Sequence, residues 1–158
     1  MSRPVIHGFL HNIRSVYNVG SMFRTADGAG VAHLYLAGYT ASPAHRKLAK
    51  TALGAEQTVA WSTYPDPPAG VAQLHALGYR LWALERVPGA TPLHNVPLPL
   101  GGKPLVLMVG NEVAGLPPDM LAQAERVIAI PMAGGKESLN VAVAFGIAVY
   151  HLRYGAAG

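Results

Sequence analysis

At 158 residues the chain is long enough for one domain with a sizeable core, and 51% AVILMFWYC with 13% charged residues is far from a disordered composition. Cysteine is absent, which excludes disulfides, thiolate nucleophiles and cysteine-ligated metals, and no eighteen-residue apolar run or signal-like N-terminus occurs, so a cytoplasmic protein without membrane attachment is expected. The net charge of +4 is carried by residues 1–80, with seven lysines and arginines against three acids, whereas residues 81–158 hold five of each sign; a polyanionic partner or a mildly basic solvated surface would each account for it.

The elements alternate along the chain. The first predicted strand is "VIHGFL" at residues 5–10, followed by a helix over residues 19–28 in "YNVGSMFRTADGAG". In that helix Val19, Met22, Phe23 and Ala26 make a buried stripe, with Asn18 as the expected N-cap and Gly28 or Gly30 as the stop. Gly20, Ser21, Arg24 and Gly28 share the opposite side. Two interior glycines cost roughly 1 kcal/mol each against alanine, so either something approaches the backbone beside Arg24 or the arginine simply faces solvent.

Strands are next expected in "HLYLAGY" (33–39), "TVAWSTY" (58–64) and "YRLWALE" (79–85), separated by helices near 44–54 and 69–78. The segment "AHRKLAK" contributes Arg46, Lys47 and Lys50 to a candidate phosphate-binding patch, joined by Arg14. "PLVLMVG" (104–110) forms a further strand that breaks at Gly110. Asn111 and Glu112 occupy the turn before a helix at 118–125, and Glu112 has no evident structural task there. The last strand, "RVIAIP" (126–131), leads through a glycine loop to a helix over 139–153 that is apolar nearly all round. Ser138 is its expected cap, with Asn140 inside the first turn. Strand and helix alternating at this spacing predict a single α/β domain with a mostly parallel sheet flanked by helices, and ligand chemistry at the carboxyl ends of its strands.

No dinucleotide fingerprint, phosphate-loop motif or hydrolase elbow is present. His7 and His11 would lie on one strand face about 13 Å apart, too far to share an ion, so no metal site is expected.

Three segments together resemble a known family. "N-x-G-x-x-x-R-T-A" at 18–26, "G-N-E-x-x-G-L" at 110–116 and "I-P-M-x-G-x-x-x-S-L-N-V-A-V-A" at 130–144 are similar, in order and spacing, to the signature motifs of SpoU/TrmH RNA ribose 2′-O-methyltransferases of the SPOUT superfamily. The resemblance spans nearly the whole chain. It implies S-adenosyl-L-methionine as methyl donor, tRNA or rRNA as substrate, a deep C-terminal trefoil knot, and a homodimer with active sites at the interface. It implies a catalytic role for Arg24 against the target ribose, with Gly20 and Gly28 keeping that face open. Asn18, Glu112, Ser138 and Asn140 match further active-site positions, and Leu84, Gly110, Ile130, Ser138 and Leu139 match the donor pocket. Arg24 could act as a general base helped by an RNA phosphate or as an electrostatic stabiliser of the alkoxide. The chain begins almost at the first strand, so residues 1–158 are expected to be one methyltransferase domain without a separate RNA-binding extension. A non-catalytic RNA-binding relative is the alternative, disfavoured because Arg24, Glu112, Ser138 and Asn140 are all intact.

Overall fold

The computed structural model describes residues 2–156. Strands β1 (Ile6–His11), β2 (His33–Ala37), β3 (Ala60–Tyr64), β4 (Arg80–Leu84), β5 (Thr91–Pro92), β6 (Leu105–Val109) and β7 (Arg126–Ala129) form one sheet in the order β3-β2-β1-β6-β4-β7-β5. Every pairing between neighbours is parallel. All six strands expected from apolar runs form. The additional β5 is a two-residue edge strand in a Pro/Gly-rich segment, where an edge tolerates Pro92.

Alternation along the strands divides the core into two layers. Ile6 and Leu10, Leu34 and Leu36, and Leu105, Leu107 and Val109 face one side. There they pack against α1 (Val16–Ala29), the short α2 (Ala49–Ala52) and α5 (Val141–Tyr154). Phe9, Tyr35, Leu81, Ala83, Val106 and Met108 face the other, under α3 (Pro67–Ala76) and α4 (Pro118–Gln123). Both faces are covered, as a parallel sheet requires.

Three expectations about local structure change. Ser15, not Asn18, caps α1: its side chain accepts from the Asn18 backbone N–H, and the helix begins at Val16. Asn18 is therefore inside the first turn with its amide free for other work. Asn140, not Ser138, caps α5, accepting from the backbone N–H groups of Ala142 and Val143. The helix expected over 44–54 reduces to α2. Residues 42–48 form successive tight turns, so Arg46 and Lys47 sit on a loop.

Gly20 also has a different task from the one expected. It is buried, and a Cβ there would lie 2.5 Å from the Leu48 carbonyl oxygen and overlap the Thr51 hydroxyl. Its small size lets the segment around α2 dock on α1. It does not open a face for a ligand.

On α5, Phe145, Ala148, Val149 and Leu152 enter the core, while Val143, Ile147, Tyr150 and Tyr154 are exposed. The exposed four recur at i, i+4, i+7 and i+11, a second apolar stripe along the helix. Among the described residues, the chain's own packing does not wrap this helix on all sides.

Candidate active site

The strand order turns back between β1 and β6, and the loops leaving their carboxyl ends meet there. Gly110 follows β6 and begins a turn so tight that a Cβ would lie 2.5 Å from the Leu116 backbone nitrogen. The requirement for glycine thus comes from the turn's own backbone. The turn is held from below by Glu85, at the end of β4, whose Oε2 accepts from the Leu116 N–H at 2.8 Å. It is braced internally by Asn111, whose Oδ1 accepts from the N–H groups of Val113 and Ala114 at 2.9 Å each.

Glu112 projects from this turn onto the N-terminus of α1. Its Oε1 accepts from the Arg14 N–H at 2.8 Å, and its Oε2 accepts from the Ser15 N–H at 2.9 Å and from Asn18 Nδ2 at 3.0 Å. The sequence reading left Glu112 without a structural task; it has one, satisfying orphan N–H groups at the positive end of α1. Burial works against its charge, but the N–H groups of Arg14, Ser15 and its own backbone, with the Asn18 amide, hold its carboxyl below the ordinary range.

Asn18 continues the chain of bonds. Its Oδ1 accepts from Asn140 Nδ2 at 3.2 Å. Asn140 then uses its Oδ1 to cap α5. Glu112, Asn18 and Asn140, from three distant segments, are thereby locked into one line in which each polar atom has an assigned direction.

Beside this line lies a cavity of about 260 Å³ at the carboxyl ends of β4, β6 and β7. Leu84, Gly110, Ile130, Ser138 and Leu139 line it, together with Glu112 and Asn140. Its remaining walls include Val109, Val141 and Ala144, and its ionisable lining also contains Glu85, Arg86 and Glu137. Arg86 Nη1 donates to the Glu137 carbonyl oxygen and ties the glycine loop to the end of β4. Apolar walls with Glu85, Glu112 and Glu137 among the lining residues against one arginine suit a ligand with an apolar body and a positive centre. Sequence reasoning missed Glu85 and Arg86, although both directly follow the apolar run of β4 where such loops carry function.

Arg24 is exposed on α1 and lies outside the cavity lining. Its side of the helix borders a shallow second depression lined by Asn18, Ser21, Thr25, Asn140, Val143 and Gly146, between α1 and α5. Arg14, Arg46, Lys47 and Lys50 are exposed, and Arg14 adjoins the cavity through its N–H bond to Glu112.

Known proteins share this architecture. The chain is 35% identical over 136 residues to the 23S rRNA (guanosine(2553)-2′-O)-methyltransferase of Bacillus subtilis, covering 86% of this chain and 53% of that one. An AdoMet-bound rRNA methyltransferase structure from Sinorhizobium meliloti superposes with a TM-score of 0.87 at 28% identity, over 96% of this chain and 57% of that one. A structure concerned with 2-OH methylation of C/U34 on tRNA superposes with a TM-score of 0.80 at 28% identity, over 96% of both chains. The chain thus spans little more than half of two of these relatives and nearly all of the third. Residues 6–150 match the sequence model of the SpoU rRNA Methylase family, and with the motifs joined at one site the chain belongs to that family.

Proposed function

We propose that this protein transfers a methyl group from S-adenosyl-L-methionine to a ribose 2′-hydroxyl of structured RNA, a tRNA or an rRNA. The observation that carries the proposal is the bonded line Glu112–Asn18–Asn140 running along a cavity built from three strand ends. The relatives support it: one is named for 2′-O-methylation of 23S rRNA, one was solved with AdoMet, and one concerns 2-OH methylation of a tRNA nucleotide.

The cavity fits the donor. Leu84, Val109, Ile130 and Leu139 offer apolar walls to its adenosyl part, and the acidic lining suits its cationic centre. When bound, the sulfonium would supply an already activated methyl group, which would pass to the 2′-oxygen with S-adenosylhomocysteine as the leaving group and the hydroxyl proton released to water. The chain's own residues arrange that event. Glu112 and Asn140 fix the Asn18 amide at the cavity's edge, and Ser138 and Leu139 close the side formed by the glycine loop. Arg24 supplies positive charge to the developing alkoxide; a guanidinium is effectively always protonated, which suits an electrostatic partner better than a base.

Arg24 reaches this event in a homodimer. The exposed stripe Val143, Ile147, Tyr150 and Tyr154 lies on α5, and Arg24 lies on the neighbouring α1. Pairing through this face buries the stripe and brings Arg24 to a cavity across the interface, with an area above about 2,000 Å² as obligate pairs bury. The passage from β7 to α5, pinned by Arg86 to the end of β4, is where the trefoil knot of the family would form. Arg14, Arg46, Lys47 and Lys50 engage the RNA phosphates, in the cytoplasm where tRNA and rRNA reside.

The test is incubation with labelled donor and total tRNA or rRNA, with nuclease mapping of any 2′-O-methyl product. Arg24→Ala is expected to lower methyl transfer on the order of 10²–10³-fold while calorimetric binding of S-adenosylhomocysteine is retained. Wild-type protein that neither binds S-adenosylhomocysteine at millimolar concentration nor labels RNA refutes the assignment. A fully active species sedimenting near 16.6 kDa removes the dimer from it.

A further inference from the structure

We infer that Tyr39 is a stacking platform for an RNA base beside the methyl-transfer site, a role that rests on the RNA-methylating reading above. Tyr39 leaves the end of β2 and is 60% exposed. Large aromatic rings on a surface are ordinarily free to turn, but this one is held at both ends. Its backbone N–H donates to Asn12 Oδ1 at 3.1 Å, and its hydroxyl accepts from Asn111 Nδ2 at 2.7 Å. The ring between these anchors is presented to solvent at little further entropic cost on binding.

The anchoring is built into the loops. Asn12 sits in the left-handed region, at φ 50°, and Gly38 does likewise at φ 65°. A Cβ at Gly38 would overlap Asn12 Oδ1, so the Asn12 amide reaches the Tyr39 backbone only because residue 38 is glycine. Asn111 spends one amide proton on the Asn12 carbonyl at 2.9 Å and the other on the phenol. Its Oδ1 braces the turn that carries Glu112. The phenol is therefore tied to the turn that lines the cavity.

The surroundings select the occupant. Ile13 N–H donates to the Thr40 hydroxyl at 2.9 Å, which sets the exposed Arg14 close to the Tyr39 loop. The same loop continues into exposed His45, Arg46 and Lys47. Val113, 84% exposed on the same turn as Asn111, adds an exposed apolar side chain next to it. A fixed aromatic face on a loop that continues into exposed arginine and lysine matches an unpaired nucleobase with its phosphates, the usual way in which single-stranded RNA is gripped. The base held here is the target nucleotide's own or its neighbour's, because the phenol is one hydrogen bond from a cavity-lining residue.

The experiment compares wild type with Tyr39→Ala, Tyr39→Leu and Tyr39→Phe. Binding of a fluorescently labelled single-stranded oligoribonucleotide and KM against kcat for methylation of tRNA or rRNA are measured. Tyr39→Ala and Tyr39→Leu are expected to weaken binding and raise the RNA KM roughly 5- to 150-fold, with little change in kcat. Tyr39→Phe keeps the ring and loses only the hydroxyl anchor, so it should stay within about fivefold of wild type. S-adenosylhomocysteine affinity should not move in any variant, and the melting temperature should fall in all three by no more than the few degrees that loss of the Asn111–phenol bond costs. Tyr39→Leu at full RNA affinity overturns the inference, as does a loss of affinity matched by a fall in sedimenting mass, which would make Tyr39 a subunit contact. Wild-type protein that binds RNA but methylates none refutes the methyl-transfer reading instead, while weaker binding by Tyr39→Leu would still support the platform.

Discussion

Replacing Glu112 by glutamine separates the structural and chemical parts of this residue's work. The carboxylate accepts three N–H bonds, two of them at Oε2. Glutamine keeps one acceptor oxygen and places an NH₂ where the other stood, so one side of the contact is lost whichever way the amide turns. With the amide oxygen toward Arg14, donors from Ser15 and Asn18 face another donor. Hydrogen bonds to a charged acceptor contribute roughly 1.5–3 kcal/mol each, and a carboxylate at a helix N-terminus about 0.3–1 kcal/mol more. Glu112 is half-exposed, so water replaces part of what is lost, and a net destabilisation of about 2–3 kcal/mol is expected. For a chain of this size that lowers Tm by roughly 5–10 °C.

The pH dependence supplies a second check on the same variant. The Glu112 carboxyl titrates below its ordinary value of 4.5, so its stabilisation is complete above that pH and is lost as the pH falls through the lower folded value. The gap in Tm between wild type and Glu112→Gln, followed by circular dichroism, should be constant near neutrality and should close in acid below about pH 4.5. Equal melting temperatures at pH 7 would refute the reasoning that this carboxylate holds the chain entering α1. A variant of unchanged Tm without methyl transfer would mean that Glu112 acts on the substrates alone.

Two other substitutions probe the scaffold. Gly20→Ala gains about 1 kcal/mol of helix propensity but drives a Cβ against the Leu48 carbonyl and Thr51; a net loss of about 1–2 kcal/mol is expected, and a raised Tm would show that the α1–α2 contact is looser than it looks. His7 is buried beneath Tyr79 and bonded to the Tyr35 hydroxyl at 2.8 Å. Burial, reinforced by His33, lowers its pKa from 6.5 to about 4. A base with a depressed folded pKa must take up its proton on unfolding, so stability is full above pH 6.5 and falls between 6.5 and about 4, by roughly 1–2 kcal/mol at pH 5. His7→Asn should flatten that slope in urea titrations, and an unchanged slope would assign acid lability to other groups.

Much of the fold was legible because its strands are short apolar runs with turn residues between them. "PLVLMVG" and "YRLWALE" read as buried strands on composition alone, and both lie in the middle of the sheet. Their order in space was not legible, since β6 lies between β1 and β4 through long-range pairing that no local period encodes. The caps show the same limit at smaller scale. Asn18 and Asn140 were both singled out, and the helix starts around them were each misplaced by a few residues. Asparagine is a good N-cap, and nothing local to Asn18 reveals a carboxylate 94 positions away waiting for its amide. Gly20 misled for a similar reason: a glycine needed for close approach looks the same in sequence whether the approaching group is a ligand or the α2 segment.

The placement of Arg24 follows from the demands on the two halves of the site. A cavity that binds a cationic donor needs apolar walls and acceptors, and the lining around Leu84, Ile130, Glu85 and Glu137 has them. The one guanidinium in that lining, Arg86, is tied to the Glu137 carbonyl oxygen and braces the glycine loop, so on the proposed reading the arginine that faces the alkoxide comes from outside the lining. Arg24 stands on the exposed side of α1, held in register with the cavity by the first turn of its own helix, where Asn18 is bonded to Glu112 and Asn140. That turn therefore joins the two halves through the hydrogen bonds of Asn18 to Glu112 and Asn140. The apolar stripe on α5 borders the same side. On the proposed reading, a second copy docked there would exclude water from the region in front of Arg24 and so strengthen its field at the developing alkoxide.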